Sequence, residues 1–216
     1  MLTQATFVFT LVFFLWAGLH SLTAMPAFKR KIAQAIGPLA YAGLYRLLYN
    51  SWAVLTFLPV LWALATQLPA TTIWQIPQPF NFLFYFVQLI GLVGLTISLW
   101  QTDFWSFVGL RQTIRYIQGE SRPERPIPFI RTGTYGLVRH PLYFFSLLFI
   151  WFTPLMSLSG LVFNLLATLY FGLGSLHEER RLLADYGDDY HRYRQEVPAF
   201  IPLRRVILKN RSTRGR

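Results

Sequence analysis

The chain contains no cysteine, so neither disulfides nor thiolate-held metals enter its architecture. Charge is scarce as well, at 13% of residues, and the nine acids are outnumbered by twenty bases. There is no GxSxG elbow, no P-loop and no Rossmann GxGxxG, which removes the usual sequence signs of a serine nucleophile, a phosphate cradle and a dinucleotide site. His140, His177 and His191 accompany Glu178 and Glu179, yet none of the spacings HxxxH, HxxHH or Glu-x-x-His occurs. No metal site is expected. The polar residues inside the apolar runs are Asn50, Gln88, Asn164 and His20; none is an acid or a fixed cation, so no ion relay for a transporter is evident.

What the chain has in excess is apolar surface: 54% of residues are hydrophobic and 18% aromatic. Crossing a bilayer core takes roughly 20 apolar residues, and residues 6–22, 44–64 and 82–100 each meet that requirement. The run from 141 to 176 carries no charge over 36 residues, too long for one ordinary span. Pro154, Ser157, Ser159 and Gly160 offer a turn near its middle. The expected fold is an all-α polytopic membrane protein of about five transmembrane helices, the last two a tight hairpin, followed by a cytoplasmic helical tail. Lipid leaves no water for open backbone groups, and the runs lack the alternation of a barrel strand. The first run has no basic segment ahead of it and a poor small-x-small site after it, so it reads as a retained span. Residues 1–100 thus form three N-terminal spans, and residues 101–216 a connector, hairpin and tail that make one functional unit.

The charges are segregated. Lys29, Arg30, Lys31 and Arg46 flank the first connector, six arginines lie between 111 and 139, and ten bases follow His177. The acids fall in the same connector and the same tail. The connector from about 65 to 81 and the turn at 154–160 have none. By the positive-inside rule the N-terminus lies outside and the tail in the cytoplasm, as expected of a bacterial inner-membrane protein. The net charge of +11 is then matched to anionic lipid headgroups rather than to nucleic acid.

The charged face carries the candidate chemistry. Residues 101–112 put Phe104, Trp105, Phe107, Val108 and Leu110 where an interfacial layer would hold them, and Pro123, Pro126 and Pro128 continue the connector as extended chain. Gly133 and Gly136 flank Tyr135 and permit positive φ or close approach to a ligand, or simply a turn. Beyond the hairpin, Gly187 is a natural helix C-cap and Asp188 or Asp189 a natural N-cap for a second short helix. On that helix Tyr190, Tyr193 and Val197 share a stripe. Adjacent Glu178 and Glu179 repel each other unless a cation lies nearby; Arg180 and Arg181 are candidates.

The ordered pattern GxYxxxRHPxY (Gly133, Tyr135, Arg139, His140, Pro141, Tyr143), the apolar hairpin, the Glu178–Glu179 pair and the tail YGxxYxxYxxxVxxxxP (Tyr186, Gly187, Tyr190, Tyr193, Val197, Pro202) together resemble a family of integral-membrane methyltransferases. That family includes isoprenylcysteine carboxyl methyltransferase and the phospholipid N-methyltransferases. "LHSLTAMPAFKR", "LYRLLYN", "TDFWSFVGLRQ" and "FTPLMSLSGL" are similar to its bacterial branch, which holds methanethiol S-methyltransferase and the NnrU-type proteins.

The resemblance implies S-adenosylmethionine as cofactor and a small or lipophilic acceptor, a thiol, prenylcysteine carboxylate or lipid amine, arriving through the bilayer. Glu178 and Glu179 would hold the cofactor's ammonium and ribose hydroxyls, and Arg139 and His140 its carboxylate. Pro141 sits between these and Tyr143. Tyr135, Tyr143, Tyr190 or Tyr193 would face the adenine or the sulfonium. A thiol acceptor must lose its proton, with His140 or His191 as base, whereas a carboxylate acceptor would want Arg194 as counter-charge. The family commonly has glycine two residues after the motif tyrosine, where this chain has Phe145. A non-catalytic NnrU-like partner or assembly factor is the alternative that this departure implies.

Overall fold

A computed structural model describes residues 2–67, 71–120 and 129–202; the prolines 123, 126 and 128 of the connector lie outside these. Helices α1 (Leu2–Ala24), α3 (Pro38–Thr66), α4 (Asn81–Gln101) and α9 (Leu158–Tyr186) are long and apolar enough to cross a bilayer. The all-α polytopic membrane fold read from the sequence is the one observed.

The remaining elements are short. Helix α2 (Pro26–Ile36) fills the first connector, opened by Pro26 in its first turn and closed at Gly37, whose φ is +85°. Its Phe28, Ile32 and Ile36 repeat every four residues with Arg30 on the opposite side and Lys29 and Lys31 at the flanks, an amphipathic pattern. Helices α5 (Phe104–Val108), α6 (Leu110–Ile117) and α7 (Thr134–Leu137) divide the third connector.

The two arms of the hairpin are unequal. Helix α8 (Pro141–Trp151) has 11 residues and α9 has 29. At 1.5 Å per residue α8 rises only about 16 Å, half of an apolar layer of about 30 Å. The chain then leaves the helix at Phe152 and becomes strand β2 (Leu155–Ser157), which pairs with β1 (Thr72–Gln75). The peptide oxygens freed by this change have partners: Trp74 Nε1 donates to Thr153 O (3.3 Å) and Ile76 N to Pro154 O (2.8 Å). The sequence pattern placed a turn here and did not signal the strands, because β1 is too short for a readable alternation. A second small difference lies at α10 (Asp188–Glu196). Gly187 alone joins α9 to α10 at φ +52°, and Asp188 and Asp189 fall in the first turn of α10 rather than capping it. There their charge favours the helix dipole.

The chain forms two compact units. In the first, made of α1–α3, α5, α6 and the opening turns of α9, the contact of α1 with α3 is aromatic and polar: Trp16 stacks on His20 (5.4 Å), and His20 Nε2 meets the Tyr49 hydroxyl at 2.9 Å. Arg46 donates to Ser106 O (3.0 Å), and Asn50 to Phe107 O and Val108 O (2.9 Å each), so α3 satisfies carbonyls at the end of α5 that no helical amide can reach. Asp103 starts α5 by accepting from the Ser106 amide and hydroxyl and pairing with Arg111.

The second unit holds α4, α7, α8, the rest of α9 and α10. Its centre is the contact of α4 with α8, where Gly91 and Gly94 let the helices approach, as small residues do between membrane helices. A methyl group on Gly94 would overlap the Phe145 ring, and one on Gly91 the Phe149 backbone. Phe145 is thus lodged in a notch of α4. The end of α4 then fixes α7: Gln101 Oε1 accepts from the Thr134 amide (3.1 Å) and hydroxyl (2.5 Å), and Ser98 donates to the Thr134 hydroxyl (3.0 Å). Gly133, at φ +62°, has no room for a side chain against Gln101. Gly94→Val is expected to lower stability by about 1–3 kcal/mol through overpacking, and Phe145→Ala in the same chain should recover part of that loss. Thermal unfolding of the purified single and double variants in detergent measures the coupling.

Candidate functional site

The site is built where the start of α8 meets the end of α9. Pro141 occupies the first turn of α8, where its missing N–H costs nothing, so Arg139 and His140 lie just ahead of the helix with free backbone amides. Those amides donate to the tail: Arg139 N to Pro198 O (2.8 Å) and His140 N to Ala199 O (3.2 Å). The guanidinium of Arg139 adds Nη1 bonds to Val197 O (2.7 Å) and Arg194 O (3.1 Å). It also donates through Nε (2.9 Å) and Nη2 (2.5 Å) to Glu179 Oε1. Four of its five N–H donors are thereby committed inside the protein.

His140 lies between the two acids. Its Nδ1 is 3.3 Å from Glu178 Oε2 and its Nε2 3.2 Å from Glu179 Oε1. Its faces are covered by Tyr143 (5.6 Å) and Phe200 (5.5 Å), and Tyr143 stacks in turn on Phe171 (4.9 Å). The result is a four-ring pile, Phe200–His140–Tyr143–Phe171. Tyr143 also hydrogen-bonds Glu178, with Arg181 nearby.

The two glutamates differ. Glu179 has a side chain only 13% exposed, shared among Arg139, His140 and Arg194, whose Nε is 3.7 Å from Oε2. Glu178 is more open, with 36% of its side chain accessible. Glu179 holds the site together, and Glu178 is the acid a visiting cation can reach.

The remaining expected residues take distinct places. Tyr193 donates its hydroxyl to Tyr135 O (2.6 Å). The stripe of Tyr190, Tyr193 and Val197 packs with Phe129, Leu182 and Tyr186, so the Tyr190 and Tyr193 rings are spent on packing. Burial, reinforced by the Glu178 charge, pushes the Tyr135 hydroxyl above its ordinary range. Burial and the Glu179 charge push that of Tyr190 up to about 12, with Arg139 opposing. Both remain O–H donors at neutral pH. His191 is exposed and bonded by Gln195 (3.1 Å), away from the acids. Arg181, one of the two arginines expected beside the acids, acts on Glu178, whereas Phe171 and Phe200 were not singled out by sequence. The VPAFIP segment carries Phe200 into the ring pile, but no spacing rule ties it to His140.

Comparison with known proteins places this geometry. The family profile "NnrU protein" matches residues 8–154. Methanethiol S-methyltransferase 2 of Bradyrhizobium diazoefficiens is 33% identical over 98% of this chain and 78% of its own length. Methanethiol S-methyltransferase of Crocosphaera subtropica is 34% identical over 61% of this chain, which spans only 51% of that protein. The protein-S-isoprenylcysteine O-methyltransferase of Schizosaccharomyces pombe is 30% identical over 52% of this chain and 53% of its own length. No solved structure matches. The chain belongs to the NnrU family, within the isoprenylcysteine methyltransferase-like membrane methyltransferases. Among the described residues no group of His, Asp and Glu could hold a metal.

Because the acids play different parts, their amide variants should separate. Glu179→Gln leaves Arg139 without its carboxylate and is expected to cost about 3 kcal/mol; Glu178→Gln should leave the unfolding midpoint within about 1 kcal/mol of the parent. Chemical denaturation in detergent measures both.

Proposed function

We propose that this protein is a membrane methyltransferase that binds S-adenosylmethionine at the Arg139–His140–Glu178–Glu179 cluster and methylates a small, apolar thiol. The observation that carries this reading is the convergence of the basic start of α8 with the acid pair of α9, leaving Glu178 the more accessible of the two acids. The donor set fits the cofactor's chemistry. An accessible carboxylate suits an ammonium, and the aromatic edges beside it suit a purine or a sulfonium. When bound, the sulfonium supplies an electrophilic methyl group.

The protein's own part is alignment and exclusion of water, which can be worth about 7–11 kcal/mol in such displacements. Glu179, Arg139 and the tail carbonyls fix the start of α8, so that His140 and Tyr143 present Glu178 in one orientation. His140, with both nitrogens turned to carboxylates, is an orienting group in this reading rather than a base. A thiol acceptor would react as its thiolate, its proton having left to water, and would take the methyl group that the cofactor held by Glu178 would supply. The names of the relatives favour a thiol over a prenylcysteine carboxylate. Arg194, the counter-charge a carboxylate acceptor would need, already faces Glu179.

The alternative of a non-catalytic NnrU-like partner drew on Phe145. Its ring is accommodated by Gly94 of α4, which weakens the reason for expecting an obstructed site. The cytoplasmic placement of the cluster is part of the proposal.

Purified protein in detergent should bind S-adenosylhomocysteine by calorimetry, and Glu178→Gln should weaken binding at least about 10-fold. Absence of binding to the parent protein would overturn the cofactor reading. With labelled cofactor and methanethiol, the rate should climb with pH toward the thiol's own ionisation. A plateau near pH 6–7 would instead mark a histidine base.

A further inference from the structure

Helix α2 carries Lys29, Arg30 and Lys31 in succession and no acid. Three like charges in a row call for counter-charge from outside the helix. The described part of its unit contains two acids, Asp103 and Glu120, and both are paired elsewhere. Asp103 pairs with Arg111, and Glu120 with Arg115 at 3.8 Å. The unit's remaining base, Arg46, is turned inward and donates to Ser106 O (3.0 Å). Arg30 and Lys31 differ from these three arginines: both are exposed, and among the described residues neither enters an ion pair.

The ground on either side of these charges is apolar. Helix α2 joins the end of α1 to the start of α3, two helices of membrane-spanning length, and the Tyr45 hydroxyl ties those ends together by donating to Thr23 O. Leu22 and Met25 ahead of α2, Ile36 at its end and Leu39 just after it are all exposed. Fixed cations beside uncovered hydrocarbon, at the ends of two spans, match a molecule with an anionic phosphate on an apolar tail. A nucleic acid or an acidic peptide would use the charges and leave the apolar side chains in water.

We propose that α2 is a docking site for an anionic phospholipid, with Arg30 and Lys31 receiving the phosphate and the acyl chains covering Leu22, Met25, Ile36 and Leu39. The proposal does not depend on the methyltransferase reading above. It narrows the attraction of a chain of net charge +11 to two side chains, because the other described arginines of the unit are bonded within it. A lipid held in this way by the folded state raises the unfolding midpoint.

The test uses the full chain, purified in dodecyl maltoside and delipidated, and titrated with dioleoyl phosphatidylglycerol, dioleoyl phosphatidylcholine, inorganic phosphate or polyglutamate. Native mass spectrometry reads retention, and thermal unfolding reads stability. Phosphatidylglycerol is expected to bind the parent protein more tightly than phosphatidylcholine and to raise its midpoint. Arg30→Gln combined with Lys31→Gln should weaken phosphatidylglycerol about 10–30-fold, while leaving phosphatidylcholine binding and the lipid-free midpoint unchanged. Arg115→Gln, which removes a paired base from the same unit, should keep the parent's affinity. Equal affinity of parent and double variant for phosphatidylglycerol would overturn the proposal. So would an equal loss in Arg115→Gln, which marks diffuse attraction, or a lowered lipid-free midpoint in the double variant, which assigns the two side chains to the fold. Phosphatidylcholine binding as tightly as phosphatidylglycerol, or inorganic phosphate alone giving the same rise in midpoint, would overturn it as well. Tighter binding of polyglutamate than of phosphatidylglycerol, lost in the double variant, would mark an acidic protein partner instead.

Discussion

The ion pair of Arg139 and Glu179 is the constraint on which the second unit depends. Both side chains are almost nine-tenths covered, and taking two charges out of water is unfavourable unless the pair is tightly coordinated. The required coordination comes from three parts of the chain. Arg139 stands ahead of α8, Glu179 lies on α9, and the carbonyls of Arg194 and Val197 complete the set from α10 and its end. Losing any of these leaves a charge or a carbonyl exposed to a low-dielectric interior. The pair therefore acts as the joint that sets the start of α8 against the end of α9.

The same joint explains how two adjacent carboxylates are tolerated. Each has its own cationic or donor partners: Arg139 and Arg194 for Glu179, Tyr143 and Arg181 for Glu178, and His140 between them. With Glu179 saturated, the accessible charge is concentrated on Glu178. One acid is thereby enclosed by its partners while the other keeps part of its surface accessible.

Much of this was legible in the sequence because the signals were dense. Apolar runs of twenty residues define spans by length alone, and RHP followed by an acid pair at the far end of a hairpin leaves few ways to satisfy the charges. Arg180 and Arg181 looked like the natural neighbours of the glutamates. In the fold Glu179 is paired instead with Arg139, forty residues earlier, because an α-helix directs successive side chains to different faces. Helix α2 was hidden inside what read as a basic connector, although Pro26 and Gly37 mark its ends. The ring pile could not be read, because stacking of Phe200 on His140 depends on tertiary placement and leaves no periodic trace.

The inequality of α8 and α9 carries a further consequence. From Leu158 to Glu178 the long helix rises about 30 Å, the thickness of a hydrocarbon layer, whereas α8 accompanies it for about half that distance. Beyond Phe152 the polypeptide continues as short extended chain, whose peptide groups lipid could not hydrate. Trp74 and Ile76 supply the missing donors to Thr153 and Pro154. By that accounting, the uncharged stretch at Trp74 and Ile76 does for this piece of main chain what a helix does for its own, supplying donors that lipid lacks.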